Sequence, residues 1–150
     1  MTPCIYTVYV PRMTNEFAEC MVSNSRMAAR AITRRYDAHL RPYGLTSTQF
    51  SLLATIRLGG DHTVSELAGA RGFDRTTLTR NLGRLERMGL LASHSAEKGN
   101  GRIYALTPKG EALVERLVPL WRGVQAEMKL LLSEEGFAAS LETLKQLARI

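Results

Sequence analysis

Asp74-Arg75-Thr76-Thr77-Leu78-Thr79-Arg80-Asn81-Leu82-Gly83-Arg84-Leu85-Glu86-Arg87-Met88-Gly89-Leu90 is the stretch whose reading decides the fold. Asp74 is a good helix N-cap, Gly89 is a good stop, and no proline intervenes, so a helix from Arg75 to about Met88 is expected. At about 100° per residue, Leu82 and Leu85 fall within about 40° of Leu78 and form one apolar stripe. Thr76, Thr77, Arg80, Gly83, Arg84 and Arg87 fall on the other side. Such a face suits a DNA major groove: arginine reads guanine edges bidentately, threonine meets a thymine methyl or a phosphate, and glycine permits close approach. Basic helix faces are also often simply solvated, so the neighbouring elements have to decide between the two.

On the C-terminal side the period changes. Leu90-Leu91-Ala92-Ser93-His94 and Arg102-Ile103-Tyr104-Ala105-Leu106 flank a polar, turn-rich segment with Gly99-Asn100-Gly101 at its tip, which predicts a β-hairpin. Lys98, Asn100 and Arg102 make this tip a basic loop of the kind that follows a phosphate backbone or enters a minor groove. Thr107-Pro108 then opens a long helix through Leu113, Leu117, Trp121, Val124, Met128 and Leu131. Pro119 is expected to bend or locally split it. Ser133-Glu134-Glu135 starts a last helix with Phe137, Leu141, Leu144 and Leu147 on one face.

On the N-terminal side, Thr63-Val64-Ser65-Glu66 is a capping box that opens a short helix carrying Leu67 and Ala68 inward and stopping near Gly72. Thr46-Ser47-Thr48-Gln49 is a second box, with Leu45 and Phe50 placed as a hydrophobic staple for a helix that ends at Gly59-Gly60. Before Pro42-Tyr43-Gly44, a first helix from Glu16 to about Leu40 puts Phe17, Met21, Ala28, Ala31, Ile32 and Tyr36 on one stripe. Residues 1–13 share none of this character: Pro3 and Pro11 flank a β-prone run, and they are expected to form an N-terminal extension. Short helix, tight turn, helix and hairpin is the layout of a winged helix-turn-helix. The expected class is mainly α with a small β-hairpin wing, joined to helices from both termini.

Charge follows the same division. The 150 residues hold 20 Lys+Arg and 14 Asp+Glu, a net +6, which makes a polyanion a natural partner. Residues 1–60 contribute 7 − 3 = +4, residues 61–110 contribute 8 − 5 = +3, and residues 111–150 contribute 5 − 6 = −1, so the last quarter is not where an anion binds. Cys4 and Cys20 are too few for a disulfide scaffold, and no apolar run reaches the length of about 18 residues that a membrane span needs. A soluble, cytoplasmic protein without membrane contact is expected.

The order Val64-Ser65-Glu66-Leu67-Ala68, Asp74 to Leu82, Leu85-Glu86-Arg87-Met88-Gly89-Leu90 and Leu106-Thr107-Pro108-Lys109-Gly110 resembles the successive signatures of MarR-type transcription regulators, over a range from about Glu16 to the C-terminus. The resemblance implies a dimer that reads a palindromic double-stranded operator as repressor or activator, repression being the expectation, and that responds to a ligand or redox signal. On it, residues 14–150 form the regulator domain, with 14–45 and 108–150 as dimerisation helices and 46–107 as the DNA-binding lobe. The expected DNA contacts are Ser65, Arg75, Thr76, Thr77, Arg80, Asn81, Arg84, Lys98, Asn100 and Arg102. One departure stands out: the family's wing carries an Asp-x-Arg element, and residues 95–102 here contain no Asp. Arg102 is the nearest match to the wing arginine, with Glu97 as its expected support.

A homodimer also follows from the residues, because the apolar stripes of the terminal helices exceed what one small domain covers. For the signal, Arg26, Arg30 and Arg57 are placed to meet the carboxylate of an aromatic or phenolic acid, and Tyr36, Tyr43 or Trp121 to stack on its ring, between the first, second and long helices. Solvated arginines and core aromatics are the competing readings. Cys20 is the alternative sensor, since a peroxide-sensing branch of the family uses a cysteine in this region. It sits about two residues too early, however, and Glu16 and Glu19 beside it oppose a thiolate, which favours a plain buried or interfacial cysteine. His39, His62 and His94 lack ligand spacing, so neither a metal nor a cofactor is expected. No phosphate loop, nucleophile elbow or triad appears, and enzyme activity is not expected. A non-specific architectural DNA binder of the same fold remains the other alternative.

Overall fold

The computed structural model describes residues 18–59, 62–71, 74–95 and 101–149. The N-terminal extension, Lys98, Asn100 and Glu97 lie outside these residues, as does the side chain of Ser65. The chain divides into two compact units, Met1–Arg34 and Arg35–Ile150. The boundary falls inside the first helix, α1 (Met21–Leu40).

In the first unit the described residues are all exposed, including Met21, Val22, Met27 and Ile32. The Asn24 carboxamide donates to the carbonyls of Ala18 (2.8 Å) and Cys20 (3.0 Å) ahead of α1, ordering the helix start without a capping hydroxyl. Cys20 is free and exposed, so of the two expected placements, buried or interfacial, it is not buried within the single chain.

The second unit holds the end of α1, a 3₁₀ turn at Arg41–Tyr43, and helices α2 (Ser47–Gly59), α3 (Val64–Arg71), α4 (Arg75–Arg87), α5 (Pro108–Leu132) and α6 (Glu134–Leu147). Strands β1 (His62–Thr63), β2 (Leu91–Ser95) and β3 (Arg102–Leu106) form an antiparallel sheet in the order β1-β3-β2. The expected hairpin is β2-β3, in register from Leu91 opposite Leu106 to Ser95 opposite Arg102. The two-residue β1, on the other side of β3, is too short to leave a period in the sequence.

Both capping boxes close reciprocally. The Thr46 N–H donates to Gln49 Oε1 (3.0 Å) and the Gln49 N–H to Thr46 Oγ1 (3.3 Å), while Thr63 and Glu66 repeat the exchange at 2.7 and 3.3 Å. Leu45 and Phe50 are both buried, as the staple requires. Leu78, Leu82 and Leu85 are 0% exposed and share the core with Leu40, Leu53, Leu67 and Leu117; each stabilises the fold by about 1.5–3 kcal/mol. Helix α5 runs unbroken through Pro119, so the proline does not split it. At its end Ser133 takes φ 64 and accepts from the Gly136 N–H (3.2 Å), a reversal that starts α6.

Candidate nucleic-acid interface

Helix α4 is fixed at both ends. At its start Asp74 accepts from the Thr77 N–H at 2.8 Å, and the hydrogen bonds from Thr77 hold the Asp74 carboxyl below its ordinary range. At its end Gly89 adopts φ 69, and the Gly89 and Leu90 N–H groups return to the carbonyls of Glu86 (2.9 Å) and Leu85 (3.0 Å), the paired bonds of a Schellman motif. The Leu106-Thr107-Pro108-Lys109-Gly110 segment completes this end. Lys109 Nζ donates to the Met88 carbonyl (2.8 Å), Thr107 Oγ1 to that of Gly89 (2.7 Å) and the Thr107 N–H to that of Leu90 (3.1 Å). A Cβ on Gly110 would collide with the Leu90 carbonyl oxygen, so only glycine lets α5 start this close to the end of α4.

With the leucines buried, the opposite face is presented to solvent. Arg75, Thr76, Arg80, Arg84 and Arg87 are exposed, as is Thr79. Thr77 and Asn81 sit lower, half-buried. The Asn81 amide is used inside the protein: its nitrogen donates to the Thr77 carbonyl (2.9 Å) and its oxygen accepts from Gln49 Nε2 (3.2 Å), tying α4 to α2. Gly83 faces open space, since a Cβ there would meet nothing within 4 Å. Packing within the chain therefore does not call for a glycine at this position.

A groove of about 690 Å³ runs beside this face, and Arg41, Arg80, Arg84 and Arg87 line it together with Asp37, Thr46, Gln49 and Asn81. Arg41 is a cation that sequence reasoning missed. It follows the first helix and shares no period with α4, and only folding brings it beside Arg80 and Arg84. Arg102 on β3 is the described cation of the wing. Its Nη2 donates to Ser93 Oγ (2.6 Å) and pairs with Glu86 Oε1 (3.3 Å), so Glu86 of α4 supports it.

The expected effector residues divide. Tyr36, Arg57 and Trp121 line one cavity of about 670 Å³ with Phe50, Val114, Val118, Arg122 and Gln125, and burial pushes the Tyr36 phenol up. Arg57 is already paired with Glu111 (3.2 Å) and Glu115 (3.0 Å). Arg122, the second cation on the wall, forms no ion pair among the described residues. Arg26 and Arg30 are exposed on the first unit. Tyr43 lies under the Arg116 guanidinium, 5.3 Å from the ring centre. No described helix is long and apolar enough to cross a membrane, and no group of three metal-ligand side chains comes together among the described residues.

Comparison with known proteins agrees with this geometry. The MarR family model matches residues 43–103. An uncharacterised HTH-type transcriptional regulator of Bacillus subtilis, YwoH, is 28% identical over 97 residues, covering 65% of this chain and 71% of its own. The MosR transcriptional regulator of M. tuberculosis is 43% identical over 89% of this chain and 98% of its own, with a TM-score of 0.76, and a structure of MosR with DNA matches at 0.75. BpsR of Bordetella bronchiseptica, whose DNA binding is regulated by 6-hydroxynicotinic acid, shares the fold at 24% identity and a TM-score of 0.82, covering 89% of this chain and 96% of its own. A capped helix with an arginine and threonine face, followed by a sheet that forms a wing, thus stands in a chain that belongs to the MarR family of winged helix-turn-helix, DNA-binding transcription regulators.

Proposed function

We propose that the chain acts as a homodimeric repressor of a palindromic operator, released by a small aromatic acid. The observation that carries the reading is the exposed surface of α4, which presents Arg75, Thr76, Arg80 and Arg84 together with an unobstructed Gly83. One such helix reads only a few base pairs, and a two-fold axis doubles the site. Exposed Leu130 (88%), Leu131 (75%) and Leu144 (53%) on α5 and α6 supply the apolar surface that a second copy would cover.

The Tyr36–Trp121 cavity supports the effector half of the reading. Its aromatic walls suit a ring, and because two carboxylates already neutralise Arg57, Arg122 is the cation better placed for a ligand carboxylate. The test begins with selection of duplexes from a random library. A regulator of this kind enriches an inverted repeat and, when that repeat overlaps a reporter promoter, silences it. Enrichment of no motif, or activation of the reporter, would sink the corresponding part. Titration with benzoate and 4-hydroxybenzoate should change Trp121 fluorescence and weaken binding to the selected duplex, and Arg122→Ala should abolish both effects.

A further inference from the structure

The arginine of the wing is held by a group on another element. Antiparallel register places Leu91, Ser93 and Ser95 opposite Leu106, Tyr104 and Arg102, and alternation puts all six side chains on one face of the sheet. Toward the sheet's base that face is apolar, with Leu91 and Tyr104 buried. Toward the tip it becomes polar where the last turn of α4 passes, and there three groups close a ring. Arg102 Nη2 donates to Ser93 Oγ (2.6 Å), Ser93 Oγ donates to Glu86 Oε1 (2.6 Å), and the same carboxylate oxygen pairs with Arg102 Nη2 (3.3 Å). The guanidinium also lies 5.9 Å from the centre of the Tyr104 ring. Only one of its three nitrogens is used, and Nε and Nη1 make no hydrogen bond among the described residues.

On the reading of the chain as a DNA-binding regulator, we propose that Glu86, acting through Ser93, is a positioning residue that locks Arg102 to the recognition helix so that helix and wing meet DNA as one unit. The pair is exposed, with side chains 60% and 32% accessible, and exposed pairs contribute little to stability, so stabilising the fold is not enough to explain the ring. A carboxylate on a face that meets phosphates also opposes DNA in general. The ring offsets that penalty by holding two unbonded guanidinium nitrogens in fixed relation to Glu86 of α4, and geometric pre-organisation of this kind raises preference for one site over bulk DNA.

The test uses the full-length protein, a duplex enriched by the wild type from a random library, and poly(dI-dC) as bulk DNA. Glu86→Ala should bind poly(dI-dC) at least as tightly as the wild type, because a negative charge is lost. Its preference for the enriched duplex should fall about five- to tenfold, with the melting temperature nearly unchanged. Ser93→Ala, which alters no charge, should lower the preference in the same direction. In an Arg102→Ala background neither substitution should change it by more than about twofold, since a residue that acts through Arg102 has nothing left to position. Undiminished preference in Glu86→Ala and Ser93→Ala, or an equal loss with and without Arg102, overturns the proposal while leaving the DNA-binding reading intact. A wild type that enriches no duplex removes both.

Discussion

Helices α4 and α6 are both amphipathic, of 13 and 14 residues, yet the fold treats them in opposite ways. In α4 every leucine of the stripe is 0% exposed, and the polar face is left free. In α6 no residue is buried, and Leu141 and Leu144 are 43% and 53% exposed. The first helix finds its partners within the chain, in α2, α3 and the wing, whereas the second packs against α5 and still leaves Leu141 and Leu144 exposed. An amphipathic pattern states that a face will be covered and is silent on what covers it. The apolar stripe of α4 is thus covered within one chain, whereas part of that of α6 is left exposed.

The largest test of this contrast pairs the two stripes. Leu82→Ala should destabilise the protein by about 2–5 kcal/mol in thermal or denaturant unfolding, at any protein concentration. Leu144→Ser should leave a dilute sample almost unchanged and instead weaken self-association in sedimentation. Equal losses in both would show that α6 is as self-sufficient as α4. Next, Gly110→Ala should cost about 1–3 kcal/mol or more, since the new methyl meets the Leu90 carbonyl and must push α5 away from the end of α4. A neutral result would mean that this junction is loose.

On the exposed face of α4, Arg84→Ala should weaken binding to an enriched duplex by about 1–3 kcal/mol without lowering the melting temperature. Gly83→Ala should separate the two faces more sharply. It should stabilise the helix by about 0.5–1 kcal/mol, because nothing in the chain obstructs a methyl there, while reducing DNA affinity measured by fluorescence anisotropy. Improved stability with unchanged affinity would place the groove on another face. The smallest effect belongs to Asp74. Its carboxyl is held below the ordinary value by hydrogen bonds from Thr77, so its contribution is complete above about pH 4 and is lost as pH falls through the lowered value. Asp74→Asn keeps the cap without the titration, so its stability curve should diverge from the wild type only in that acid range.

Much of the fold was legible because its signals are local. Capping boxes, N-caps and Gly89 act within one helical turn, and their geometry follows from residue chemistry wherever they occur, so α2 to α4 stand close to where the residues predict them. Pro119 was expected to bend or locally split its helix, and α5 runs through it without a split. The candidate site was legible where it lies on one helix and obscure where it joins elements. The exposed arginines of α4 follow from a helical wheel. That Asn81 is committed to Gln49, that Arg57 is claimed by Glu111 and Glu115, and that Arg41 belongs beside Arg84 do not, because each depends on partners at least thirty residues away.

By itself, then, the sequence determined the helices, their inward and outward faces, the hairpin and the basic character of the face beside it, all consequences of periodicities shorter than about four residues. The tertiary structure alone decided which polar groups are already satisfied and which remain free for a ligand. Hydrogen bonds and ion pairs saturate, so a side chain's availability is set by its neighbours in space, and the link from Glu86 to Arg102 across sixteen residues exists only once α4 and the wing have packed together.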